Sequence, residues 1–600
     1  MSNFEYTFGP QLRANGETRF RLWAPSVQAA SVVIGETAYP LHAMANGWYE
    51  ADVHCPPGTR YCFETVGEDG GTLRFADPAS HAQAGGVHCD SIVVDPGAYQ
   101  WRNTQWKGRP WQEAVLYELH VGAFGGFAGV AKRLPQLAEL GITAIELMPI
   151  AEFPGKHNWG YDGVLPYAPD SSYGTPEQLK ALIDDAHDLG LMVFLDVVYN
   201  HFGPDGNYLS AYAKPFFRND VNTPWGQAID FRQQQVSDFF IENALYWLRE
   251  FRFDGLRFDA VHAIAEQGWL QVMGRRIREV VASDSPADRH VHLVLEHDGN
   301  AAHLLGNTAQ APFNAQWNDD GHHALHVLLT GEHDHYYRNY SEETAQKLAR
   351  CLAEGFVYQG EAIPTTNEPR GEPSAYLPPS AFVLFLQNHD QIGNRAFGER
   401  LRTLARPSAL RAATALLLLS PQIPLLFMGE EFGATQPFLY FTDHSPELAQ
   451  AVRDGRRQEF AAFEAFADPA QREKIPDPNA EATFEQSIPE EGRDACAWRD
   501  WMRELLALRQ ARLVPQFADC HALGACVIGD SAVAARWKLR DGTVLALAAN
   551  LSKTEINVKL DAIAKTGGAD LLFETEGALQ ALGNDLLPAD SFIALLEPAA

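Results

Sequence analysis

The sequence predicts an α/β fold: a (β/α)8 barrel flanked by an N-terminal β-sandwich and a C-terminal all-β domain. Three observations carry this. Between about residues 114 and 428, short apolar runs alternate with stretches of helical period. Before 105 and after 513, the apolar residues instead recur at period two between turn residues. No Gly-x-Gly-x-x-Gly follows a strand and opens a helix, so a doubly wound, dinucleotide-binding sheet lacks its signature.

Residues 1–105 hold short alternating runs such as Arg19–Trp23, Ala30–Gly35 and Arg60–Val66, as a β-sandwich requires. Trp23 and Trp48 there could stack on sugars or serve the core. Trp101–Pro110 reads as a linker. The barrel, within 106–512, opens with the strand Val115–Val121, a helix over Gly129–Leu140 and the strand Ile142–Ile150. Thr175-Pro176-Glu177 starts a helix with an N-cap and a first-turn proline, and Gly190 closes it. Leu191–Val198 is an almost wholly apolar run, as a strand covered on both faces should be. A helix over Val236–Phe251 leads into Gly255–Asp259, and one over Gln271–Val281 into His292–Glu296. The strands Phe313–Trp317, Phe382–Gln387 and Pro424–Met428 follow, with helices at Glu342–Glu354 and Ala409–Leu419 between them, which makes eight strands. Residues 434–500 read as a polar, irregular insert before a last helix at Trp501–Ala511, and 513–600 as a small β-domain.

At 600 residues the chain exceeds a single core and calls for roughly three domains. A hydrophobic share of 46% marks it as globular, and a net charge of −30 argues against nucleic acid and anionic membrane as partners. The seven cysteines are scattered, odd in number and without zinc-site spacing. The N-terminus shows no signal peptide, and the longest apolar run, Ala412–Leu419, is far short of the ~20 residues that span a bilayer. A soluble cytoplasmic protein, a monomer or weak homo-oligomer, is expected, with no cofactor and no required metal.

In a barrel of this kind active sites gather where strands end. Strand three ends at Asp196 and Asn200-His201, strand four at Arg257 and Asp259, strand five at Glu296, and strand seven at Asn388-His389-Asp390. Arg257 and Asp259 share one strand face, so the guanidinium can hold the carboxylate ionised. Clustered acids repel, so one can stay protonated near neutral pH. Glycoside cleavage with retention needs that pair, an attacking carboxylate and a protonating acid about 5 Å apart. Metal binding would also use carboxylates, but Arg257 beside Asp259 opposes a cation there.

Asp196–His201, Gly255–Asp259, Glu296 and Phe385–Asp390 resemble, in order and spacing, the four signature segments of the α-amylase family of glycoside hydrolases. The resemblance spans the barrel and both flanking domains. It implies a retaining double displacement with Asp259 as nucleophile, Glu296 as acid/base and Asp390 as the third carboxylate gripping the sugar. It further implies that Arg257 keeps Asp259 ionised, that His201 and His389 bind the sugar in the cleaved subsite, and that Asp196 orients Arg257. Tyr161 would be the stacking platform below that sugar, while Asn200 matches a residue that ligates calcium in many relatives.

Within the family, Tyr199–Tyr208, Thr223–Gly226, Gln316–Asp320 with His322-His323, and Phe427–Glu431 are similar to enzymes that free trehalose from malto-oligosyltrehalose. That likeness implies cleavage of the α-1,4 bond beside a terminal trehalose unit, in trehalose biosynthesis, with malto-oligosyltrehalose and related α-glucans as substrates. Trp317 could then stack on a glucose while Asn318, Asp319, Asp320 and His323 bond hydroxyls; Asp319-Asp320 could instead cap the following helix. Trp225 and His262 are further candidates for that pocket. A glycogen branching enzyme is the alternative, since it shares the N-terminal domain and the catalytic acids but transfers to a sugar hydroxyl. A catalytically silent glucan-binding module is a third reading, yet it would be expected to lose an acid, and all three are present.

Overall fold

The computed structural model describes residues 6–284, 288–463, 466, 468–564 and 568–599. Most of the N-terminal stretch read for targeting signals, residues 1–5, lies outside them. Eight parallel strands close into a barrel: β1 Leu116–Leu119, β2 Ala144–Leu147, β3 Met192–Val197, β4 Gly255–Phe258, β5 His292–Leu295, β6 Ala315–Trp317, β7 Phe382–Phe385 and β8 Ile423–Phe427. Every residue in them is buried, which explains why most read as apolar runs, while Gly255–Asp259 alternates apolar with charged residues.

Local chemistry explains where the helices depart from the sequence reading. The helix over 129–140 is two pieces, Phe127–Ala131 and Leu134–Leu140, because Pro135 has no N–H for an interior bond and can sit only in a new first turn. Thr175 does cap the helix Pro176–Asp188, in a capping box with Gln178. The insert is not irregular: it carries the 14-residue helix Pro446–Glu459. Arg456 is that helix's one buried residue, so it has no apolar stripe for the sequence to show. The last helix runs earlier than expected, over Ala495–Leu508.

The N-terminal module is two antiparallel sheets. One joins Gln11–Leu12, Thr18–Trp23, Trp48–Val53 and His42–Ala43; the other joins Thr37–Pro40, Val27–Ile34, Arg60–Gly67 and Thr72–Phe75. Phe20 of the first meets Tyr61 of the second with ring centroids 4.8 Å apart, as the inner faces of a sandwich should. Trp23 and Trp48 are both buried in this core. The C-terminal domain is a five-stranded antiparallel sheet with a two-stranded ribbon and two short helices.

The linker is pinned below the barrel. Trp106 donates its indole N–H to Asp254 (2.7 Å), which also accepts from Val193 N and contacts His187 Nε2, both at 2.9 Å. Asp254 precedes β4, at the end of the barrel away from the acids, so this network serves stability. No helix among the described residues is long and apolar enough to cross a membrane.

Candidate active site

Arg257 on β4 is wholly buried, and its guanidinium is shared by three carboxylates. Nη1 lies 2.6 Å from Asp196 Oδ2 and 2.9 Å from Asp259 Oδ1, while Nη2 lies 2.8 Å from Glu296 Oε2. Parallel pairing aligns Asp196 with Arg257, which explains how neighbouring strands bring these groups level. On its other side the guanidinium carbon sits 4.1 Å from the Trp317 ring, a cation–π contact at the end of β6.

Backbone and cap geometry fix the acids. Ala260, just after Asp259, has φ 39°, a left-handed conformation unusual for alanine, and donates its N–H to Glu296 Oε2 at 2.7 Å. Asn200 Nδ2 donates to Asp259 Oδ2 and to its carbonyl, both at 2.8 Å. Asp390 sits in the first turn of a short helix opened by the Asn388–Gln391 capping box. Gly160 has φ 104°, and a Cβ there would meet Pro149 O at 2.1 Å, so only glycine permits the turn that presents Tyr161. Tyr161 donates to Asp196 at 2.7 Å and stacks on His389 with centroids 5.1 Å apart. His201 Nε2 contacts the Tyr161 carbonyl at 3.0 Å.

These environments separate the titrations. Burial pushes Glu296 up to about 8, with Asp259 and Asp390 adding to the rise and Arg257 opposing it. Burial also raises Asp390, against the pull of His389 and Arg257. Burial alone would lower His389, but Glu118 and then Asp390 carry it to about 9, so it is a cation at neutral pH. The site therefore sets Glu296, its carboxyl raised by burial, beside Asp259, which accepts hydrogen bonds from Asn200 and Arg257.

Glu296 and Asp390 open into a cavity of about 620 Å3, within the range of small-molecule sites. Trp317, Asp319, His323 and His262, four of the residues expected to meet substrate, line it. Asp319 and His323 pair at 3.0 Å; burial would raise the Asp319 carboxyl, but His323 holds it well below the usual range. Two expected contacts are elsewhere. Asn318 is 1% exposed, caps the helix Asp319–Thr330 and donates to Gly355 O at 2.8 Å. Asp320 is 0% exposed and accepts from Asn300 Nδ2, Tyr340 OH and the N–H groups of Val357 and Tyr358. Of the two neighbouring aspartates, the second is a buried hub because it sits on the inner face of its helix. Trp225, at the tip of the hairpin formed by Phe217–Thr223 and Gly226–Ile229, is 49% exposed and stacks on His201 at 4.6 Å.

Sequence reasoning missed Glu118, which holds His389 through both Nδ1 and the backbone N–H. Its signal is a lone acid inside an otherwise apolar strand, which burial would make costly without a partner. Also missed were Phe460, Phe463 and Phe466 of the insert, which wall the cavity and recur at an interval of three residues, a signal that could have found them. Among the described residues, no group of three or more His, Cys, Asp or Glu is placed to hold a metal ion.

Comparisons with known proteins agree with this geometry. Residues 100–241 match the model of the alpha amylase catalytic domain, and 520–593 match a domain of unknown function, DUF3459. The malto-oligosyltrehalose trehalohydrolase of Deinococcus radiodurans is 39% identical over 82% of this chain and 81% of its own length. The chain belongs to the α-amylase family of glycoside hydrolases. A protein of the same name from Saccharolobus solfataricus is 40% identical to this enzyme over 76% of the chain and 80% of its own length. A Salmonella typhimurium protein assigned to the alpha amylases superposes with a TM-score of 0.90 at 43% identity, covering 99% of the enzyme and all of that chain. The 1,4-alpha-glucan branching enzyme of Corynebacterium jeikeium is 28% identical over 70% of the chain.

Proposed function

We propose that this enzyme hydrolyses the α-1,4-glucosidic bond next to the terminal trehalose unit of malto-oligosyltrehalose and releases trehalose, with retention of configuration. The observation that carries the reading is that Glu296, its carboxyl pushed up by burial, lines the same 620 Å3 cavity as Asp319, His323, Trp317 and His262. A leaving group protonated by Glu296 departs into that space, and its walls offer paired charge and an aromatic face to a hydroxyl-rich disaccharide. The names of the relatives at 34–40% identity support the same substrate.

In the first step Asp259 attacks the anomeric carbon while Glu296 gives its proton to the glycosidic oxygen, so the C–O bond breaks and trehalose leaves. The glucan remains as an ester on Asp259. In the second step the Glu296 carboxylate takes a proton from water, the hydroxyl attacks the same carbon from the vacated side, and Asp259 is released. Asp390 and His389 hold the sugar through both steps, above Tyr161. Asp259 and Asp390, with the charge that develops on Glu296 as it gives up its proton, supply the electrostatic stabilisation of the developing oxocarbenium ion.

The test is product analysis. Malto-oligosyltrehalose should yield free trehalose and a shortened glucan whose new reducing end starts as the α-anomer. New α-1,6 branches from amylose, with no trehalose released, would replace this reading with the branching reaction.

A further inference from the structure

Glu146 on β2 is a buried acid that the mechanism leaves unused. It is 1% exposed, and neither carboxyl oxygen has a hydrogen-bond partner among the described residues. Strand pairing aligns it with Glu118 on β1 and Phe194 on β3, one layer below the level at which Asp196 aligns with Arg257. The charged groups that face it are Glu118, Asp196 on β3, Arg257 on β4 and His389 after β7.

Among the described residues, both cations that face it are already shared with other carboxylates. Arg257 is already divided among Asp196, Asp259 and Glu296, and His389 is bound by Glu118 and faces Asp390. An additional buried anion would be uncompensated, at a cost of several kcal/mol, whereas the neutral acid costs far less. Burial and the neighbouring Glu118 and Asp196 act in the same direction, pushing its carboxyl well above the ordinary range. A neutral carboxylic acid has one O–H to donate. In the layer above, Asp196 Oδ1 and Arg257 Nε are also buried without hydrogen-bond partners among the described residues, and Arg257 Nη2, though 2.8 Å from Glu296 Oε2, makes no hydrogen bond to it. Buried polar groups left over in this way are commonly joined by an enclosed water, which makes about three hydrogen bonds.

We propose that Glu146 is a positioning residue of the reaction, a neutral carboxylic acid whose O–H, relayed through enclosed water, braces the Asp196–Arg257 pair that holds both reacting carboxylates. The inference rests on the retaining glycoside cleavage proposed above, but not on the identity of the leaving group.

Two measurements test it. Infrared difference spectra of the whole enzyme at pH 7 should contain a protonated-carboxyl carbonyl band that Glu146→Gln removes; no change on substitution overturns the neutral state, whatever the substrate proves to be. In kinetics on malto-oligosyltrehalose, E146Q should stay within about threefold of the parent kcat, with the pH profile unmoved. E146L, apolar, one carbon shorter and unable to donate, should lose more than tenfold in kcat with KM little changed. Thermal melts establish that both variants are folded. Equal losses in E146Q and E146L would mean that the charged form is needed, and unchanged kcat in both would remove any positioning role. A parent enzyme that forms branches instead would fail the functional reading while leaving the infrared result intact.

Discussion

Arg257 touches Asp259 with one terminal nitrogen, at 2.9 Å, and Glu296 with the other, at 2.8 Å. One planar group thus sets the relative position of the two carboxyls proposed to attack and to protonate. It also biases them unequally: Asp259 gains a second donor in Asn200, while Glu296 opens to the cavity with 27% of its side chain exposed.

Replacing Arg257 by lysine keeps the charge but loses the fork. Because a misplacement of about 1 Å can cost on the order of 10²-fold in rate, kcat should fall at least that far in R257K. R257M leaves buried carboxylates uncompensated and should also lose about 3–5 kcal/mol of stability, read from urea melts.

Asp259→Asn and Glu296→Gln should each lower kcat by roughly three orders of magnitude or more, with circular dichroism unchanged. The two differ on a substrate whose leaving group needs no proton. There E296Q should recover much of the first step and D259N none, which stopped-flow detection of the leaving group would resolve.

Activity should fall as pH rises through about 8, where Glu296 loses the proton it must donate. Asp390 is among the charges that raise Glu296. Removing it in D390N should therefore move the alkaline limb of kcat/KM to lower pH, besides lowering the rate. A limb that stays in place in D390N would contradict the coupling of these acids.

Glu118→Gln removes the main charge that holds His389 protonated against burial. A folded value of about 9, against 6.5 for the free side chain, makes that proton worth about 3 kcal/mol. The contribution is complete below pH 6.5 and is lost as pH rises through 9. The melting temperature of E118Q should thus lie well below the parent at pH 6 and approach it above pH 9.

The adjacent aspartates should separate cleanly. Asp319→Ala removes a charged group from the cavity wall and should raise KM about tenfold, the value of one hydrogen bond to a charged group. Asp320→Ala strands the donors of Asn300, Tyr340, Val357 and Tyr358 and should cost about 3 kcal/mol in stability.

The barrel was legible because its strands are buried on both faces and its helices carry start signals such as Thr175 and Pro176. Asp259, Glu296 and Asp390 stood out as candidates because a charge ending a buried run has few structural uses. The helix Pro446–Glu459 was not, since an almost wholly exposed helix has no stripe, and Glu118 was passed over inside an apolar run.

What the sequence by itself determined is which residues stand at strand ends and what charges they bring, because strand periodicity and burial are local properties. Only the tertiary structure decided that one arginine serves three acids, that Asp319 faces the cavity while Asp320 anchors the loop behind it, and that Glu146 lies under them without a counter-ion. Those outcomes depend on register between strands distant in the chain and on side-chain burial, and neither is written in the spacing of residues along any one element.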